Sequence, residues 1–323
     1  MKKYILLNFS LLVIILILLR FYSNNDKHLF SQDCNLVVHR FEQEFFSINK
    51  DSFDIVFPAI KSRFPSFFSD TAIDFKNDVF LDDTLNLVLD SVNLFFGDSV
   101  PGMSILQAGF CNYQNYFPHA ELSVYTFIDK SFDYRIPVVF ADSKLFVSLH
   151  LFLGSNHTFY KFLPAYISYS HDPVFLPSSC FITLAGRHIP YPELNTFLGT
   201  ILHYSKAYVF AQEMLPNAPE YKLFKCSKEK MDWCYQNESP IWRYMIERDY
   251  LFSSSMDLVD KFVSLAPFSQ FGLPTDRDSP GSVGVWLGLQ IWNAYMQNNK
   301  ISLIEVLNER DYIKVLNNSG YKP

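Results

Sequence analysis

Glycine, paired cysteine and clustered basic charge are what this sequence has least of. Only 11 glycines occur in 323 residues, and none falls into a GxGxxG or a GxxxxGK[ST] pattern. Dinucleotide-type and phosphate-loop chemistry, which needs close backbone approach at such glycines, is therefore excluded. The five cysteines, Cys34, Cys111, Cys180, Cys226 and Cys234, are sparse and form no CxxC. That rules out a disulfide scaffold, a zinc ribbon and a thioredoxin-type site. Cys226 and Cys234 are near enough in sequence to bridge in an oxidising compartment, and the plainer reading is two buried free thiols. Lys and Arg total 27 against 33 Asp and Glu, for a net charge of -6, with no basic run. Nucleic acid is not an expected partner.

What is abundant is apolar and aromatic. Apolar residues make up 49% of the chain, with 33 Phe and 19 Tyr, so a large packed core is expected and disorder is not. Met1-Lys2-Lys3 precedes an uncharged run from Tyr4 to Leu19, closed by Arg20. A run of this length is a little short of a ~30 Å hydrocarbon core, and Phe21 and Tyr22 extend it. No small residues stand where a leader peptidase would cut. Residues 1–22 are read as an uncleaved signal anchor, 23–33 as a polar tether and 34–323 as one exported domain. The expected location is the cell envelope, with the membrane as a partner through the N-terminal helix.

Periodicity then sorts the chain. Residues 36–48 have a helical rhythm, and Asp51 is the expected cap of the next helix, which Pro58 is expected to kink. Residues 78–97 place Leu85, Val88, Leu89, Val92 and Phe95-Phe96 at helical spacing, with Gly97 as the stop. Residues 122–129, 136–140 and 144–150 are short, β-branched and aromatic, and predict a small antiparallel meander. The proline-broken stretch 151–192 reads as irregular with short helices. Residues 193–215 form the strongest interior helix, followed by helical sequence over 228–251 with a break near Ser239-Pro240. Ser282 is expected to cap a helix over 282–297, and Ser302 with Glu305 forms a capping box for the next. On that helix Gly284 and Gly288 sit one turn apart beside Trp286 and Trp292. Two buried faces and close helix–helix packing are predicted. The order of elements gives an α+β class: a mostly helical single domain with a small antiparallel sheet.

Chemistry is harder to find. A zincin needs two histidines one turn apart with a Glu beside the first. None of the eight histidines opens an HExxH, and the residue four beyond His203 is Ala207. A dispersed site would draw on His150, His157 or His188. No serine elbow is present, since Pro280-Gly281-Ser282-Val283-Gly284 lacks the GxSxG spacing. Glu238 with Asp276 and Asp278 offers acids that a glycosidase could use, but helix capping and local pairing with arginine explain them more simply. No cofactor, metal or catalytic residue is assigned.

Ordered fragments carry a resemblance that no single one would. They are Arg40-Phe41-Glu42-Gln43-Glu44-Phe45-Phe46, Tyr116-Phe117-Pro118, Leu151-Phe152-Leu153-Gly154 and Ser205-Lys206-Ala207-Tyr208. From Asn237-Glu238 with Ile241-Trp242 they become dense: Ala266-Pro267-Phe268-Ser269, Ser279-Pro280-Gly281, Gly284-Val285-Trp286-Leu287-Gly288 and Tyr321-Lys322-Pro323. Together they resemble the gliding-motility lipoprotein GldB family of Bacteroidota. The resemblance implies a role in gliding motility with linked type IX secretion, envelope proteins of that apparatus as partners, and a fold distantly similar to predicted zinc proteases. The reaction class is left open between a non-catalytic component and an envelope hydrolase with a degenerate or dispersed site. Candidate cleft or interaction residues are His203, Lys206, Glu238, Trp242, Asp276 and Trp286. Family members usually carry a lipobox cysteine directly after the apolar run. Here the first cysteine is Cys34, preceded by Ser31-Gln32-Asp33, so anchoring by the N-terminal helix is expected instead of lipidation.

Overall fold

The computed structural model describes residues 34–68, 80, 82–100, 102–191 and 194–323. Residues 1–33, read above as signal anchor and tether, lie outside the described residues. Among those described, no helix is long and apolar enough to cross a membrane. Residues 36–323 form one compact unit.

Strand β1 (Val37–Arg40) opens the domain and runs directly into helix α1 (Phe41–Phe46). The sequence at 36–48 had suggested helix throughout. Its first four residues are instead drawn into a sheet, pairing parallel with β2 (Ser123–Phe127) from Val37↔Ser123 to Arg40↔Thr126. The rest of the sheet is β3 (Val138–Ala141) and β4 (Lys144–Ser148), in the order β1-β2-β4-β3. β2 and β4 are parallel, and only β3–β4 is an antiparallel hairpin. The expected antiparallel meander is thus corrected to a mixed sheet. β4, not β3, takes the place beside β2, and the chain between β2 and β3 crosses over. Asp142 and Ser143 both adopt left-handed φ, 48° and 61°, which matches a two-residue hairpin turn.

Phenylalanine gathers on the α1 side of the sheet. Phe41, Phe45, Ile48 and Phe53 are buried with Phe64 and Phe68, and Phe57, Phe67, Phe80, Tyr125 and Phe127 close around them. The Phe41 and Phe67 rings stack at 3.9 Å. Helix α2 (Phe53–Arg63) contains Pro58, and its approach is capped by Asn49, which accepts from Asp51 N, not by Asp51 itself. Helix α3 (Asp83–Phe96) follows most of the predicted face: Asp82 caps it, Leu85, Val88, Val92 and Phe96 are buried while Phe95 is exposed, and Gly97 at φ 54° ends it. Helix α4 (Met103–Tyr116), started by left-handed Gly102, was not foreseen.

The remaining helices are α5 (Ala165–Ser170), α6 (Leu176–Ala185), α7 (Phe197–Met214), α8 (Glu220–Leu223), α9 (Lys228–Gln236), α10 (Glu238–Glu247), α11 (Met256–Phe262), α12 (Val283–Asn299), α13 (Leu303–Asn308) and α14 (Tyr312–Ser319). From β3 and β4, packing passes to α6, then α7, then α12, then α14. α6 is the largest departure from expectation within 151–192. Pro177 does not break it but occupies its first turn, where a missing N–H costs nothing, and most of the helix is buried. α7 begins with Thr196 accepting from Gly199 N, and its burial is spread around the helix rather than along one face. Tyr204, at helical spacing from the buried Phe197 and Ile201, is half exposed.

α12 is the central helix that its two apolar stripes predicted. Val283 through Leu289, Ile291, Trp292 and Tyr295 are all buried. A Cβ on Gly288 would meet Ser205 Oγ at 2.7 Å and overlap Ile201 O of α7, and one on Gly284 would meet Phe262 O at 2.8 Å. Ser282 does not cap it. Its hydroxyl donates back to Val263 O at 2.8 Å, and Ser269 Oγ accepts from Val283 N in its place. The Ser302–Glu305 capping box of α13 is present in full.

Candidate functional site

The six residues singled out from sequence fall into four separate places. His203 and Lys206, one turn apart on α7, face the C-terminal helices. Lys206 is buried and donates to Leu307 O at 3.1 Å and Glu309 O at 2.5 Å. These carbonyls lie at and just past the end of α13, where a cation complements the helix dipole. The ammonium also stands over the Trp292 and Tyr312 rings at 5.7 and 5.4 Å. Burial draws its pKa down to about 8. His203 Nδ1 pairs with Tyr312 Oη at 3.2 Å, and burial followed by the neighbouring Lys206 charge lowers its pKa to about 4.

Glu238 and Trp242, on one face of α10, hold Tyr321. Tyr321 Oη donates to Glu238 Oε1 at 2.7 Å, and Trp242 meets the same ring edge-on at 5.2 Å. Burial first, and the carboxylate second, push the phenol far up in pKa. Asp276 accepts from Gly272 N at 2.9 Å and Leu273 N at 3.2 Å, closing its own loop. Trp286 donates Nε1 to Glu220 Oε2 at 3.0 Å.

Two groups that sequence reading missed organise this half of the molecule. Glu220, in the first turn of α8, accepts from Trp286, from Gln290 at 3.1 Å and from Gln212 at 3.1 Å. The donors come from α7 and α12, so no local spacing announces the cluster. Lys230 of α9 donates to Pro267 O, Arg277 O and Ser279 O at 2.8, 3.2 and 2.5 Å. One ammonium therefore gathers the irregular segment that leads into α12.

The histidines proposed for a dispersed site are also apart. His188 Nε2 pairs with Tyr113 Oη at 2.9 Å and its ring stacks on Phe117 at 3.9 Å. His157 Nδ1 accepts from Phe159 N. His150 is fully buried at the end of β4, with Phe132 edge-on at 4.9 Å and Asp129 Oδ1 at 3.8 Å from Nε2. His171, not singled out from sequence, is equally buried and holds Leu151 O through Nδ1 at 2.7 Å. Both ring nitrogens of His150 and Nε2 of His171 make no hydrogen bond among the described residues. Among the described residues, no three His, Cys, Asp or Glu side chains stand close enough to hold a metal ion.

Cys180, Cys226 and Cys234 are free and buried, so the bridge between Cys226 and Cys234 does not form. Burial raises the Cys180 and Cys226 thiols to about 12. Cys34 and Cys111 are disulfide-bonded. We expect the native protein to resist alkylation at every cysteine. Unfolding without reductant should expose three thiols and unfolding with reductant five, read by intact mass.

The side chains of this helical half spend their polar groups on the fold itself. A sequence model of the family described as gliding motility protein GldB matches residues 23–323. Neither a curated protein nor a solved structure matches the chain. With a match over nearly its whole length, the chain belongs to the gliding motility protein GldB family, and its biology is that of gliding motility.

Proposed function

We propose that this protein is a non-catalytic component of the cell envelope that supports gliding motility and the type IX secretion linked to it, in contact with other envelope proteins of that apparatus. One observation carries the reading. His203, Lys206, Glu238, Trp242, Asp276 and Trp286 each engage a partner within the fold, and all but Asp276 do so with another helix or the chain end. They act as fasteners rather than as a cleft. In this reading residues 1–22 anchor the chain, 23–33 tether it and 34–323 work outside the cytoplasm. The disulfide state of Cys34 and Cys111 supports an oxidising location, since such bonds persist there and not in the cytosol. It also gives the Cys34 sulfur a use other than lipidation. Intact mass of membrane-extracted protein should show residues 1–33 attached and no acyl chain on Cys34. A mature form starting at an acylated Cys34 would overturn the anchoring.

A second reading, an envelope hydrolase with a dispersed site, draws on the nitrogens of His150 and His171 that make no hydrogen bond among the described residues. Zinc content separates the two. The exported domain, from about Cys34 on, is expected to bind no stoichiometric zinc by elemental analysis after mild dialysis. About one zinc per chain, lost on replacing His150, His188 or His203, would establish the hydrolase instead.

A further inference from the structure

A groove of about 290 Å3 lies between α4, the start of α6 and residues 214–222. We propose that it binds a small amphiphilic carboxylate, a single acyl chain with an anionic head. Three features argue for this ligand class. The first is charge. Among the described residues of the lining Lys222 is the only ionisable one, with no Asp or Glu beside it, in a chain whose acids outnumber its bases. Its ammonium makes no ion pair among the described residues, so an incoming carboxylate meets an uncompensated cation.

The second feature is the wall. Ile105 and Val174 flank the groove with 47% and 42% of their surface exposed, and Leu215 lies buried behind them. Exposed aliphatic side chains lining a concavity favour an apolar tail, and water gains when that surface is covered. The volume sits near the lower limit of small-molecule sites, which suits one short chain and not a branched lipid.

The third feature separates an acyl chain from a peptide. Pro177, Pro216 and Pro219 line the groove and supply no backbone N–H. Asn112 spends an amide hydrogen on Met214 O at 2.9 Å, and Ser178 Oγ lies within bonding distance of Phe175 O and Lys222 O. A peptide would bring carbonyls that need donors, and the rim has few to give. An acyl chain needs only the one at Lys222.

The test is calorimetric titration of the full chain with octanoate, octylamine and a short apolar peptide ending in a leucine carboxylate. Octanoate is expected to bind saturably and octylamine not to bind. Lys222→Ala should weaken octanoate about tenfold, as expected for one charge-assisted contact. Ile105→Trp, at the exposed rim, should block the site with the melting temperature unchanged. Equal binding of octanoate and octylamine, or undiminished octanoate binding by a folded Lys222→Ala protein, would overturn the proposal. Peptide binding as tight as octanoate would overturn the acyl assignment.

Discussion

Gly288→Leu is expected to leave little folded protein. Gly288 lies where α12 crosses α7, against Ile201 O and Ser205 Oγ. Backbone oxygen cannot rotate away as a flexible side chain can, so the helices must part. Overpacking of this kind costs on the order of 1–3 kcal/mol or more. Gly288→Ala tests the argument more finely. Alanine favours helix over glycine by about 1 kcal/mol, so an exposed site would be stabilised. Here the added methyl group should reverse the sign and lower the melting temperature. In cells the leucine variant should show low abundance and lost spreading together. Unchanged melting temperature and abundance with motility abolished would identify α12 as a partner-binding surface, against our structural reading.

Acid should destabilise the domain between about pH 6.5 and pH 4. His150 and His171 are buried and their pKa values fall to about 4, in both cases chiefly through burial. Asp129 opposes the shift at His150 while the neighbouring His171 adds to it, and Lys225 adds to it at His171. In the unfolded chain both titrate near the ordinary histidine value of about 6.5. Between these limits the unfolded state binds more protons, so stability is full above pH 6.5 and is lost as pH falls toward 4. Together the two rings are worth roughly a few kcal/mol. Denaturant melts at pH 7.5, 6 and 5 should show a falling midpoint. His171→Asn, which preserves a donor to Leu151 O, should flatten the slope at some cost in stability at pH 7.5. A flat wild-type profile would mean that burial holds neither ring neutral in the fold.

Legibility in the sequence followed the range of the interactions. α3, α12 and the capping box of α13 were readable because a face, a glycine spacing or a Ser-x-x-Glu cap lies within a few turns of sequence. α6 was not readable, because Pro177 looks the same whether it stops a helix or starts one. β1 was read as helix, because its strand state depends on a partner far along the chain. The hub at Glu220 was invisible for the same reason, as its donors come from Gln212, Trp286 and Gln290 on two other helices. The six candidate residues were legible as unusual, but their partners within the fold were not. Sequence marks a residue that matters without saying whether its partner is a substrate or the end of its own chain.

The parallel pairing of β1 with β2 also sets an order of events. Their ladder is braced by Glu42 of α1, whose buried carboxylate accepts from Thr126 84 residues later and pairs with Arg40. A contact of that range pays its loop-closure entropy before it gains any pairing energy, so it forms late. β1 is made first and docks only once β2 has followed it. Until then the phenylalanines of α1 travel uncovered. A chain built this way has a waiting period during synthesis, when this early segment is the part most in need of a holding partner.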